Sequence, residues 1–422
     1  MRIKLTRQVH IPYGEGTLSL EIPSDTIISV ADLKIANPVR PLEAEVRRAL
    51  KNPVSLSLMS LVKKDGKIVI VVNDITRPTP TSRILPPLLQ ELRSMGANKD
   101  NIEIMVAPGM HRVNTEAEMR GIVGSDVFNE YQVVCHNPDE DKLAYLGKTS
   151  RGTKLIFNEK AVRADLRILI GNVEPHQLAG YTGGAKSLLP GLSCRESIEA
   201  NHSLLLEPNV SVGSIRGNPI REDIEESLKV LGPTFLLNVV LNMRNEVVAA
   251  SAGDAIKAHR RCVEICNRIS EVHVSGKADI VIASPGGFPK DIDLYQAQKA
   301  LTPAERAVKR GGVIILAAEC RGGLGNELFR EWMCEAKSPS DIIERMRREG
   351  FILGAHKAFL FARHMMNADL IIVSDIPSEI LEEMHLTPAS SIDEALEIAY
   401  KKAGRDAKIT VLPHASSSII LN

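Results

Sequence analysis

Short apolar runs alternate along this chain with amphipathic stretches of helical length, and that alternation leaves few architectures open. Lys67-Ile-Val-Ile-Val-Val-Asn-Asp74, Ile102-Glu-Ile-Met-Val-Ala and Leu166-Arg-Ile-Leu-Ile-Gly are almost uniformly aliphatic, and Tyr131-Gln-Val-Val-Cys continues the series. A strand with no polar face must be covered on both sides, as in parallel sheets flanked by helices. Phe235-Leu-Leu-Asn-Val-Val-Leu-Asn and Glu246-Val-Val-Ala-Ala-Ser-Ala-Gly read as paired strands about Met243-Arg-Asn, with a helix over 255–270. A second series follows: Asp279-Ile-Val-Ile-Ala-Ser, Gly312-Val-Ile-Ile-Leu-Ala-Ala, Asp369-Leu-Ile-Ile-Val-Ser and Lys408-Ile-Thr-Val-Leu-Pro. The opening residues alternate and turn at Pro12-Tyr-Gly-Glu-Gly16, which predicts an N-terminal hairpin. At 422 residues the chain exceeds the ~250–300 at which a single core stops growing. The expectation is an α/β fold of two domains, 1–270 and 271–422, each with a mostly parallel sheet between helices.

Composition narrows the partners. The chain has 52 basic and 52 acidic residues and no basic stripe interleaved with aromatics, so nucleic acid is not expected as the main partner. Neither an apolar signal segment after Met1 nor a run of ~18 apolar residues is present, so a membrane partner is not expected and a cytoplasmic protein is. Six scattered cysteines (135, 194, 262, 266, 320 and 334) fit reduced thiols. Cys262 and Cys266, four apart on one helix, read as packing rather than as metal ligands.

Ligands of open α/β sheets bind at the carboxyl ends of strands. The polar residues of interest fall there: Asn73-Asp74-Ile-Thr-Arg77-Pro, Ala107-Pro-Gly-Met-His111-Arg, Gly171-Asn-Val-Glu174-Pro-His176 and Ser284-Pro-Gly-Gly-Phe-Pro. The densest run continues from His176 through Gly180-Tyr-Thr-Gly-Gly-Ala-Lys186-Ser-Leu-Leu-Pro-Gly191 to Asn201-His202. Lys186 follows three residues with little or no side chain, so its amine can be approached closely by a planar ligand. The run is not a phosphate-binding P-loop, because an alanine separates the last glycine from the lysine and Leu-Leu-Pro-Gly would break the required helix. His111, His176 and His202 suit proton transfer or metal ligation near neutral pH, whereas His136 and His356 rank second and His259 and His364 read as surface or structural. Asp74 can accept from ribose hydroxyls, and Arg77 offers a fork for carboxylate or phosphate. In Tyr295-Gln296-Ala-Gln-Lys299, Gln296 and Lys299 share a helix face and could hold one small anion together.

In combination and order, these motifs resemble the nickel-dependent lactate racemase family across essentially the whole chain. The resemblance implies a racemase or epimerase that inverts C2 of a 2-hydroxy acid, with its active site in the cleft between a cofactor-binding domain (1–270) and a domain contributing substrate contacts (271–422). It implies a nickel-pincer nucleotide, a pyridinium-3-thioamide-5-thiocarboxylic acid mononucleotide, which other enzymes must synthesise. Lys186 would be its covalent attachment, His202 the protein ligand to nickel, and Asp74 a nucleotide contact. His111 and His176 would be the acid/base pair, while Arg77, Tyr295, Gln296 and Lys299 would bind substrate. Lactate-acting members place a tryptophan near the substrate in the second domain. The sole tryptophan here, Trp332, does not match that position, and His356-Lys-Ala-Phe359-Leu-Phe361 carries phenylalanines instead. The expected substrate is therefore a 2-hydroxy acid, with lactate itself left open. Two other readings stay open: a non-catalytic nucleotide- or metal-binding protein, and a pyridoxal-phosphate enzyme using Lys186 as its Schiff-base lysine.

Overall fold

The computed structural model describes residues 6–421. The chain divides into two compact units, Ile35–Ile269 on the one hand and Met1–Lys34 with Ser270–Asn422 on the other. One seam falls near 270, and residues 6–34 group with the chain that follows it.

The N-terminal hairpin supplies the reason. Thr6–Tyr13 pairs antiparallel with Gly16–Pro23, and its alternation gathers Val9, Ile11, Leu20 and Ile22 on one buried face. Those side chains belong to the same core as Ile280, Ile282, Val313, Ile315 and Val411. Ile27–Val30 then adds an edge strand parallel to Ile409–Leu412. The sheet of this unit runs in the order Thr387–Ala389, Ala368–Val373, Val308–Ala317, Ala278–Ala283, Ile409–Leu412, Ile27–Val30, and every pairing is parallel.

In the unit Ile35–Ile269 the six strands follow the order Val247–Asp254, Thr234–Leu241, Leu166–Val173, Ile68–Asn73, Ile102–Ala107, Gln132–Cys135. Only the pairing of Thr234–Leu241 with Val247–Asp254 is antiparallel. Leu166–Val173 is buried along its whole length, as its apolar run requires. The apolar faces of helices Leu42–Lys51 and Thr81–Ser94 pack on this sheet through Val46, Leu50, Leu85, Leu88 and Leu92. Because Leu166–Val173, Ile68–Asn73 and Ile102–Ala107 are parallel neighbours, the loops after them leave the sheet side by side along one edge. No helix among the described residues is long and apolar enough to cross a membrane.

Leu20, fully buried in the hairpin, tests which unit the N-terminus belongs to. Leu20→Ala is expected to cost about 2–5 kcal/mol. Hydrogen exchange should quicken in Ala278–Ala283 and Val308–Ala317 and stay unchanged in Ile68–Asn73.

Candidate active site

A glycine-rich turn places Lys186, and its backbone could not fold this way without outside help. Residues 178–183 are all buried, so each peptide carbonyl needs a protein donor. Asn218 Nδ2 donates to Leu178 O at 2.9 Å, and Gly213 N donates to Gly180 O at 3.0 Å. The guanidinium of Arg221 reaches three more carbonyls: Ala179 O at 3.0 Å, Tyr181 O, and Gly183 O at 3.4 Å. His259 Nε2 donates to Thr182 O at 2.8 Å. On the far side Asn238 Oδ1 accepts from Gly184 N at 2.8 Å. Gly180 and Gly183 adopt φ +74° and +73°, and a Cβ at Gly180 would lie 1.8 Å from Ser214 O. Those two positions therefore admit only glycine.

None of these supporting side chains stood out in the sequence. Asn218-Pro219 does signal a helix start: Asn218 caps the helix Pro219–Glu226 and proline takes its first turn. That start puts Arg221 beneath the turn, but nothing local names its acceptors.

Lys186 leaves the turn surrounded by protein, and burial pushes its amine well below the ordinary lysine range, with the charges of Arg221 and Arg77 adding to the effect. His202 stands on the helix Arg195–Ser203. Its Nδ1 donates to Ile198 O at 2.9 Å, one turn back. Burial pushes its pKa down to about 3. Desolvation is the larger cause, and the charge of Lys186 nearby adds to it. Asn201 Nδ2 ties this helix to the next through Asp223 Oδ2 at 2.8 Å.

The loop after Ile68–Asn73 carries Asp74, Thr76 and Arg77. Asp74 is 4% exposed. Its Oδ2 accepts from His111 Nδ1 at 2.9 Å, and Thr76 Oγ1 lies 2.9 and 3.0 Å from the two carboxylate oxygens. Asp74 thus holds Thr76 and His111 together at the strand end. Arg77 Nη1 lies 3.4 Å from Glu174 Oε1, and His176 follows two residues later. His176 Nδ1 accepts from the backbone amides of Leu178 and Ala179 at 3.2 and 3.1 Å. Asp74, Arg77, His111, His176, Lys186 and His202 therefore all lie in the unit Ile35–Ile269, around one sheet edge.

Tyr295, Gln296 and Lys299 lie in the other unit. Lys299 Nζ donates to Gln296 Oε1 at 2.7 Å, in keeping with their shared helical face. The Tyr295 ring packs edge-on to Phe329 and His356, with Lys357 Nζ 5.0 Å from its centroid, and burial raises its hydroxyl pKa to about 12. Trp332 is 1% exposed, under the guanidinium of Arg345, and Phe361 stacks on Phe329. Of the second-rank histidines, His136 is fully buried, its Nδ1 2.9 Å from Asp141 Oδ2 and its Nε2 3.2 Å from Ser193 O.

Residues 13–213 match the model of the lactate racemase N-terminal domain, and residues 274–420 match that of the C-terminal domain. The lactate racemase of Thermoanaerobacterium thermosaccharolyticum is 36% identical over 98% of this chain and 99% of its own length. That of Lactiplantibacillus plantarum is 33% identical over the same shares. The chain belongs to the lactate racemase family. With that family it is an isomerase, and the non-catalytic reading falls away. The lactate racemase apoprotein structure from T. thermosaccharolyticum superposes with a TM-score of 0.92 at 37% identity, covering 99% of this chain and 100% of that one. A structural-genomics protein from Thermotoga maritima, with a TM-score of 0.67 at 17% identity and covering 92% of this chain and all of that one, shares the fold.

The donor set fits the family's cofactor in one respect that geometry can test. Among the described residues no group of three or more His, Cys, Asp or Glu side chains could hold a metal ion. His202, which burial keeps neutral, could serve as a single imidazole ligand if a bound cofactor brought the other donors. Ser187 Oγ and Asn172 Nδ2, buried beside the turn, lack hydrogen-bond partners among the described residues and suit a polar ligand.

Two outcomes follow for the racemase turn. Arg221→Met would strand two buried carbonyls, those of Tyr181 and Gly183, since Ala179 O keeps the Tyr181 amide at 2.8 Å, and should cost about 2–3 kcal/mol or more in chemical denaturation. His259 is held neutral by burial, with the Arg221 charge adding to it. The unfolded chain takes up a proton on this ring below pH ~6.5 and the folded chain does not, so stability is lost as pH falls through that value. His259→Phe should flatten this slope between pH 7 and 5 in urea midpoints.

Proposed function

We propose that this chain inverts C2 of a 2-hydroxy acid, lactate being the first to test, with a nickel-pincer nucleotide tethered to Lys186. The observation that carries the reading is Lys186, whose amine burial pushes well below the ordinary lysine range, beside His202 on the same sheet edge as an Asp74–His111 pair. Lowering the amine's pKa favours its nucleophilic form, which suits covalent attachment. His202, its Nδ1–H committed to Ile198 O, offers Nε2 as the nickel donor, and the carbonyl fixes the ring tautomer and angle. When bound, the nucleotide supplies an electron-poor ring that accepts hydrogen from C2 as hydride and returns it.

The remaining chemistry belongs to the chain's own residues. Asp74 holds Nδ1–H of His111, which turns the basic Nε2 outward to take the C2 hydroxyl proton, and the buried carboxylate stabilises the imidazolium that forms. His176 is the second histidine at the C2 oxygen. Arg77, oriented by Glu174, is assigned to the substrate carboxylate, and Gln296 and Lys299 are assigned to substrate contacts, with Tyr295 setting their helix. Trp332 is committed to its own core, so side-chain selection rests on other residues. The pyridoxal-phosphate alternative leaves the Asp74–His111 pair and His202 without a task.

The test is intact mass and metal analysis of protein co-expressed with the cofactor-synthesis enzymes, followed by a racemisation screen over 2-hydroxy acids. The wild-type chain should carry an adduct of mononucleotide size with nickel in equal amount. Lys186→Ala should lose both adduct and activity. His111→Ala should keep the adduct and lose about 10²–10⁴-fold in rate. An active Lys186→Ala variant would overturn the covalent assignment.

A separate outcome concerns substrate binding. Lys299→Ala should raise KM by about tenfold with kcat less affected, because a surface cation that steadies a carboxylate acts mainly on binding.

A further inference from the structure

In the unit that contains Ser270–Asn422, two helical segments carry polar side chains seven residues apart. Gln298 and Glu305 stand on the run 294–307, and Lys357 and His364 on the helix His356–Met365. Seven residues make about two turns, so each pair lies on one face of its own segment. The four side chains meet in a zigzag ladder between the segments. Lys357 Nζ lies 2.9 Å from Gln298 Oε1, Gln298 Nε2 lies 3.3 Å from His364 Nε2, and His364 Nδ1 lies 2.8 Å from Glu305 Oε2. Asn367 Nδ2 donates to the other oxygen of Glu305. Gln298, Lys357 and His364 are all buried, so these links form away from water.

The ladder has a direction. The amide oxygen of Gln298 can only accept, and it faces the Lys357 amine, which donates in either charge state. The amide nitrogen can only donate, so Nε2 of His364 offers its lone pair and Nδ1 carries hydrogen to the Glu305 carboxylate. Turning the Gln298 amide over would demand two changes at once: a free lone pair on the Lys357 amine and hydrogen on both nitrogens of His364. The first rung stands beside the residues assigned to substrate. Gln298 lies between Gln296 and Lys299 in the chain, and Lys357 Nζ is 5.0 Å from the centroid of the Tyr295 ring. Burial pushes the Lys357 amine well below the ordinary lysine range, with the charge of Lys299 adding to the effect and that of Asp293 opposing it. Asp293 caps the same turn, accepting from Gln296 N at 2.7 Å.

We propose that Lys357 is a positioning residue for substrate binding, holding through Gln298 the turn that carries Gln296 and Lys299, with His364 and Glu305 anchoring the far end of the ladder. The proposal rests on the racemase reading and on the substrate roles it gives Gln296 and Lys299. Lys357 acts through Gln298 and not by contact with substrate, and no proton moves along the ladder. Its effect is geometric. Gln296 and Lys299 stand on helical pieces of four and three residues, Leu294–Ala297 and Gln298–Ala300, which are too short to hold their own shape. A buried amide tied at both its oxygen and its nitrogen fixes that backbone from beneath. The Lys299–Gln296 contact at 2.7 Å is then presented in one arrangement, as a small carboxylate requires.

Two measurements test this. In unloaded protein labelled with ¹⁵N-histidine, the His364 ring, assigned by its disappearance in His364→Gln, should show a protonated Nδ1 and an unprotonated Nε2 at neutral pH. A protonated Nε2 would mean that the Gln298 amide faces the other way, and would overturn the proposal. In cofactor-loaded enzyme, Lys357→Met keeps the bulk of the side chain but removes the donor, and should raise KM by about tenfold while kcat stays within about twofold. Gln298→Met should do the same, and the double variant should be no worse than either single one, because all three lose the same connection. An unchanged KM in Lys357→Met, a kcat loss as large as the KM change, or single effects that multiply in the double variant would each sink the idea. Loaded wild-type protein that inverts no 2-hydroxy acid would instead overturn the racemase reading, while the nitrogen spectrum would still decide the direction of the ladder.

Discussion

Six consecutive peptide carbonyls, those of residues 178–183, are turned away from water, and the rest of the site depends on how they are satisfied. Leaving even one unpaired would cost about 1–3 kcal/mol. The chain instead commits Asn218, Arg221, His259 and the amide of Gly213 to them. Arg221 is itself fully buried, and desolvation lowers its pKa to about 10, which still leaves it charged at neutral pH. It is tolerated because three carbonyl dipoles and the nearby Glu225 carboxylate, 3.9 Å away, replace its hydration. The turn that results is rigid because its donors come from two helices and a loop that are packed in their own right.

That rigidity sets the electrostatic character of the site. Where the turn and the helix Arg195–Ser203 meet, burial removes charge, so Lys186 and His202 both tend to neutrality. Along the neighbouring strand ends polar groups stand in pairs, Asp74 2.9 Å from His111 and Arg77 3.4 Å from Glu174. Groups desolvated by burial and groups held by polar partners thus stand within one region of the unit Ile35–Ile269. Parallel neighbouring strands deliver them, since each contributes its own loop to one edge.

Much of this was legible in the chain before any fold was known. Apolar runs too uniform to face water dictated parallel sheets under helices, and they recur in the structure as Ile68–Asn73, Leu166–Val173, Ala278–Ala283 and their neighbours. The positions of Asp74, His111, His176 and Lys186 after strand ends followed from the same pattern. Two features lay beyond what local pattern encodes. The hairpin over residues 6–23 was readable as a hairpin, but its alternation states only that one face is buried and not which sheet buries it. Asp74 was readable as an acceptor, but its partners, His111 and Thr76, come from a loop geometry that spacing does not encode.

What the sequence by itself determined is local: where strands, turns and helix starts fall, and which side chains stand at strand ends, because periodicity, glycine and proline act over a few residues. The tertiary structure alone decided that burial lowers the pKa of the Lys186 amine, and that Arg221 and His259 serve a turn about 40 and 80 residues before them. Those properties depend on desolvation and on hydrogen-bond partners distant in sequence, and both are set only when the backbone closes around them.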